Sequence, residues 1–177
     1  MNDIHSIYFD GFGYIVSNNN VIQGEFSDWS SYLINRFEHN INFAHKVLSY
    51  DQIKKTKNYF YNNLYRTNAV QKGVLIHNDI KSDNLIYNKD DNILYIIDWE
   101  EAIIGDRLAE YASILNRIST GRLPECFLNK EWVYNKTIKF YRVVFIVNEI
   151  GWLIRHYFNK DVLIKERSNT LLQLINK

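Results

Sequence analysis

Proline and cysteine are almost missing from this chain: Pro124 and Cys126 are the only ones in 177 residues. One cysteine excludes an internal disulfide and suits a reducing compartment. No Pro/Gly/Ser-rich linker divides the chain and no internal repeat is visible. Net charge is nearly absent too, at +1 with both signs interspersed, so there is no electrostatic case for a nucleic acid or an anionic membrane as partner. Long apolar runs are lacking: the longest, Val143 to Val147, falls far short of the roughly 20 residues that span a bilayer. Met1-Asn2-Asp3 has neither the basic start nor the apolar run of a signal peptide. The expectation is a soluble, cytoplasmic protein.

What is present is apolar and aromatic material, 46% and 15% of the residues, enough for a packed core in a single domain over 1–177. Phe12 to Val16 reads as a short strand and Asn18-Asn19-Asn20 as a turn. Ser27 or Asp28 caps a helix in which Trp29, Tyr32, Leu33 and Phe37 recur at helical spacing. A second helix begins at Asp51. Val74-Leu75-Ile76 reads as a buried strand, Leu85-Ile86-Tyr87 as another, and a turn through Asn88 to Asn92 leads into Ile93 to Ile97. Asp106 caps a helix to about Ser119, and two or three aromatic-rich helices fill 129–176. The fold class is α+β, mostly helical, with a small central β-hairpin; the catalytic core spans about 71–125 and a helical tail about 126–177.

The stretch VLIHNDIKSDNLIY, residues 74–87, packs a His, two Asp, a Lys and two Asn between apolar runs. Asp79 and Asn84 lie five apart, and Asp98 follows at the end of the last strand. An Asp and an Asn converging on one point offer hard oxygen ligands that suit Mg²⁺. A carboxylate at the end of an apolar strand is costly unless it meets a cation or donors. Asp79 would accept a hydroxyl proton, as phosphoryl transfer requires. Oxygens of Asp79, Asn84 and Asp98 are then expected to face one cleft. A D-x-x-x-x-N spacing alone is more often a polar turn; the acid placed after the hairpin is what lifts it above one.

His77-Asn78-Asp79-Ile80-Lys81-Ser82-Asp83-Asn84 resembles the catalytic loop H-x-D-x-x-x-x-N of the kinase superfamily. Ile97-Asp98-Trp99-Glu100 is similar to the metal-binding segment of the aminoglycoside phosphotransferase and choline kinase group. Gly105-Asp106 with Glu110-Tyr111-Ala112 is similar to that group's G-D-x-x-x-D-x-A segment, with Arg107 at a frequent Pro and Glu110 at the usual Asp. Gly11-Phe12-Gly13 and Phe26 to Trp29 resemble the region before its catalytic loop. The resemblance implies Asp79 as catalytic base, Lys81 facing phosphate, Asn84 and Asp98 on Mg²⁺ and nucleotide, and His77 bracing the loop. ATP is the implied donor and a small-molecule hydroxyl the acceptor.

The resemblance also exposes a gap. The group's nucleotide lobe needs a Gly-rich loop and a strand lysine, yet no lysine precedes Lys46. The expectation is a C-terminal lobe alone, with the N-terminal nucleotide lobe absent and a second chain as one source for it. Two readings stay open: a truncated small-molecule kinase, and a non-catalytic remnant lobe kept as a binding module. Among weaker features, Glu100, Glu101 and Glu149 are candidates for binding the amine of a cationic substrate, Glu100 with the stronger claim, while a solvated acidic face is an equal reading of Glu101 and Glu149. Trp152, Tyr157 and Phe158 offer an aromatic cage, against which core packing is the better reading.

Overall fold

The computed structural model describes residues 3–156 and 161–176, Asn18 by its backbone alone. Its strands are β1 (Tyr8–Phe9), β2 (Phe12–Asn18), β3 (Val21–Phe26), β4 (Gly73–Ile76), β5 (Leu85–Asn88), β6 (Ile93–Ile96) and β7 (Ile103–Gly105). Five of them form one antiparallel sheet in the order β1-β4-β7-β2-β3, while β5 and β6 pair only with each other. The sheet part of the fold is therefore larger than a single central hairpin. Asn19 and Asn20, at φ 49° and 65°, join β2 to β3, because a two-residue hairpin turn needs left-handed backbone at both positions.

The helices are α1 (Trp29–Ile41), α2 (Tyr50–Asn63), α3 (Arg107–Ile118), α4 (Lys130–Tyr134), α5 (Lys136–His156) and α6 (Asp161–Asn176). Asp28, not Ser27, caps α1, accepting from Ser31 N at 2.8 Å. Helix α2 starts before Asp51: Ser49 and Gln52 form a reciprocal capping box, with Asp51 in the first turn, where a carboxylate favours the helix dipole.

Helix α5 is the centre of the core rather than a tail. Residues on several of its faces are buried, from Ile138 to Leu153, against α1, α3 and α6. Two contacts fix it. Trp29 Nε1 donates to Tyr141 Oη at 3.0 Å and Tyr141 Oη donates to Asp106 Oδ2 at 2.8 Å, tying α1, α5 and the start of α3 together. Gly151 lets α1 come close: a Cβ there would stand 2.9 Å from the Asn40 Cα and 2.6 Å from its Oδ1.

Strand β4 is buried as its sequence predicts, but the hairpin is not. Ile86, Tyr87, Leu94 and Tyr95 are each about half exposed (51, 54, 45 and 46%). The physical reason is the packing: neighbouring strand residues point to opposite faces, and with Ile86 and Tyr87 both exposed neither face of the hairpin is covered.

Candidate functional site

The polar loop leaves the C-terminal end of β4 and runs along one face of α3. Three α3 residues at helical spacing hold it. Glu110 accepts from the backbone N–H of His77 (2.6 Å) and of Asn78 (3.2 Å), Ser113 Oγ donates to Asn78 O (3.4 Å), and Arg117 Nη2 pairs with Asp79 Oδ1 (2.9 Å). Asn78 adopts left-handed backbone, φ 67°, a conformation Asn tolerates better than most residues. Glu110 has no solvent exposure. Burial pushes its carboxyl up to about 7, although the two amide donors pull the other way.

Both oxygens of Asp79 are engaged. Arg117 takes Oδ1, while Lys81 Nζ lies 2.5 Å from Oδ2 and Asn84 Nδ2 donates to Oδ2 at 3.2 Å and to Asp79 O at 2.9 Å. A charge chain continues behind Arg117. Its Nη1 meets Glu149 Oε1 at 3.4 Å, and Arg167 Nε, from α6, lies 2.8 Å from Glu149 Oε2. Glu149 is thus no solvated surface acid: its side chain is only 10% exposed.

The segment 97–98 is pinned by the same loop. Ile97 N–H donates to Asn84 O (3.0 Å) and Ile97 O accepts from His77 Nε2 (2.8 Å), so His77, fully buried, braces the loop against the strand end. Asp98 then turns left-handed, φ 66° and ψ 65°. It is exposed, so the burial cost expected for a carboxylate after an apolar strand does not arise. Asp98 makes no hydrogen bond or ion pair among the described residues, and the Asn84 amide spends its N–H groups on Asp79, which leaves its oxygen for another partner. That oxygen set fits a hard cation such as Mg²⁺. No group of three or more His, Cys, Asp or Glu is placed to hold a metal among the described residues, so a cation here would rest on Asn84, Asp98 and substrate oxygens.

A cleft of about 500 Å³ opens at Asp79 and Lys81 between α1, α3 and α5. Glu100 and Glu101 are exposed on its wall; Asn84 and Asp98 do not line it. Asp79 borders the cleft and meets Asn84 Nδ2 at 3.2 Å, and Ile97 N–H on Asn84 O ties Asp98 to the same loop, so that the 84/98 pair adjoins Asp79. Of the aromatic trio, Trp152 lines the cleft, and Tyr157 and Phe158 lie outside the described residues. Sequence reasoning missed Arg117 and Arg167, and read Glu149 as an amine contact or a surface acid rather than as their partner. The only signal for Arg117 was its place seven residues after Glu110 on the same helix.

A sequence profile of the phosphotransferase enzyme family (APH) matches residues 21–134. No protein of curated function matches the chain by sequence. Among solved structures, the crystal structure of aminoglycoside phosphotransferase APH(4)-Ia superposes with a TM-score of 0.68 at 16% identity, over 94% of this chain and 57% of that one. A thermostable mutant of it, in ternary complex with ADP and hygromycin B, gives 0.67 at 15%, over 94% and 58%. The apo form of a thermostable mutant gives 0.68 at 15%, over 93% and 58%. At these identities the likeness is one of fold, a kinase-like α+β fold matched in part. The chain spans less than two thirds of the length of those structures.

Proposed function

Since the chain belongs to the phosphotransferase enzyme family, we propose that it moves a phosphoryl group from ATP to a hydroxyl of a small molecule, with Asp79 as the base. The observation that carries this reading is the convergence on Asp79. Its carboxylate is oriented by Arg117 and Asn84 and lines a cleft. Phosphoryl transfer asks a protein for positioning and for charge near the reacting oxygens, and little covalent chemistry.

An acceptor hydroxyl entering the cleft meets the one acidic side chain there that borders both the cleft and the 84/98 pair. Asp79 takes the hydroxyl proton as the new P–O bond forms and the bond to the ADP leaving group breaks. Arg117 and Asn84 keep the carboxylate from turning. Lys81, on Asp79 Oδ2 before substrate arrives, is half-exposed and long enough to swing toward the phosphoryl oxygens. Asn84 and Asp98 would hold Mg²⁺, whose charge offsets that of the phosphates. Glu100 serves as a contact for the acceptor at the cleft wall.

The test is transfer from ATP to a panel of amino sugars, amino alcohols and polyols, read as new phosphoester signals by phosphorus NMR. Product is expected to fall by about a hundredfold or more in Asp79→Ala. Asp79→Asn serves as the variant that keeps the shape of the carboxylate. Equal product from parent and both variants would place the base elsewhere.

A further inference from the structure

Charge in the cleft is unevenly matched. Lys81, Arg117 and Arg122 face Asp79 and Glu149. Arg36 from α1 and Arg155 from α5 line the same cleft and have no ion pair among the described residues. None of the residues outside that description is an Asp or Glu. The two guanidinium groups are held by aromatic contacts that leave their charge intact. Arg36 donates through Nη1 to Tyr14 Oη, and the Arg155 Cζ lies 4.7 Å from the Phe43 ring centre. Arg36 Nε and Arg155 Nη1 are buried with no hydrogen-bond partner.

This pairing of like charges is built in, not left over on a surface. The close contact at Gly151 and the bond from Asn40 Nδ2 to Asn148 Oδ1 (3.1 Å) bring the two helices together. Glu100 and Glu101 also line this cleft, both exposed and neither in an ion pair among the described residues. Glu101 acts on Arg36 from a distance, and water screens it. Burial and the neighbouring Arg36 pull the Arg155 guanidinium below its usual range, whereas at Arg36 burial is outweighed by Tyr32, Tyr14 and Glu101, which hold its guanidinium up. Both side chains therefore stay cationic in the cleft.

Resting on the phosphotransfer reading of Asp79, we propose that Arg36 and Arg155 form an anion-binding end of the acceptor site, for a small hydroxylated molecule carrying a carboxylate or a phosphate. Arg155 follows Glu149, the anchor behind Asp79, by six helical residues, about 9 Å of rise. A sugar acid or sugar phosphate is long enough to set a hydroxyl at one end of that span and its anion at the other. The guanidinium fork suits either anion.

A matched set of hexoses tests this at equilibrium, with no nucleotide: gluconate, glucose 6-phosphate, glucose and glucosamine, each titrated into the full chain and followed by protein NMR shifts. Gluconate and glucose 6-phosphate are expected to bind saturably and about tenfold tighter than glucose, with glucosamine weakest. The comparison of the first two separates carboxylate from phosphate as the preferred anion. Arg36→Gln and Arg155→Gln should each remove most of the preference, and the double change all of it. Arg36→Lys and Arg155→Lys should restore part, with thermal melts matching the parent. Glucosamine binding as tightly as gluconate, or an anion preference that survives the double change, would overturn the proposal. Because the readout is binding, its failure leaves the Asp79→Ala result standing, and loss of the Asp79 reading leaves this binding order measurable.

Discussion

Glu110 links the site to pH through a single side chain. Its carboxyl, ordinarily near 4.5, sits at about 7 in the folded protein because burial outweighs the donors at His77 and Asn78. Between those values the folded state keeps a proton that the unfolded chain has released. Stability from this group is therefore fully present below the lower value and lost as pH rises through the upper one, at most about 1.4 kcal/mol per pH unit. Urea midpoints are expected to rise from about pH 8 to about pH 6.5, and Glu110→Gln should flatten that upper part of the profile. Below it His5, held down to about 4 by burial, works the opposite way. An unchanged profile in Glu110→Gln would assign the titration to another group. At this scale the sequence disclosed Asp79, Asn84 and Glu110 through their spacing. It hid the pairing of Arg117, Glu149 and Arg167, which joins residues on three helices and follows no local period.

Helix α3 shows how an element can be legible in outline and not in purpose. Its cap at Asp106 and its length could be read from residue types, yet the use of Glu110, Ser113 and Arg117 as one stripe under the loop depends on where β4 ends. Strands β1, β3 and β7 escaped reading for a related reason: two to six residues long, they are strands because of what they pair with. Helix α5 carries the prediction that belongs here. Gly151→Ala improves helix propensity by about 1 kcal/mol but drives a methyl into Asn40, and overpacking of that kind costs about 1–3 kcal/mol. A net loss of about 1 kcal/mol in urea denaturation is expected, together with a wider α1–α5 spacing. A gain in stability would mean that α1 yields without strain.

The whole chain spans 57% of the length of the APH(4)-Ia structure it resembles, and the exposed apolar face of β5 and β6 adjoins the 84/98 pair, since Leu85 pairs with Ile96. On the phosphotransfer reading of Asp79, transfer is expected to rise about tenfold or more when the rest of a relative's fold is supplied in trans, because in-line positioning of the donor accounts for much of the rate. Asp79→Ala should erase that rise. Equal turnover with and without the supplement would show that the chain positions its donor unaided.

The sheet order has a temporal consequence as well. Strand β7 lies between β4 and β2, so Tyr14 meets Ile103 and Val74 meets Gly105. During synthesis the β2–β3 hairpin, complete at Phe26, emerges early and must wait, one edge bare, until β7, ending at Gly105 roughly eighty residues on, has cleared the ribosome. Contacts this distant along the chain make folding slow and leave nascent edges open to wrong partners. Strand β4 leads into the His77 loop and β7 into the Asp106 cap, and the α3 residues that hold the loop follow β7, so a ribosome stalled short of Gly105 would carry a hairpin and two helices without a site.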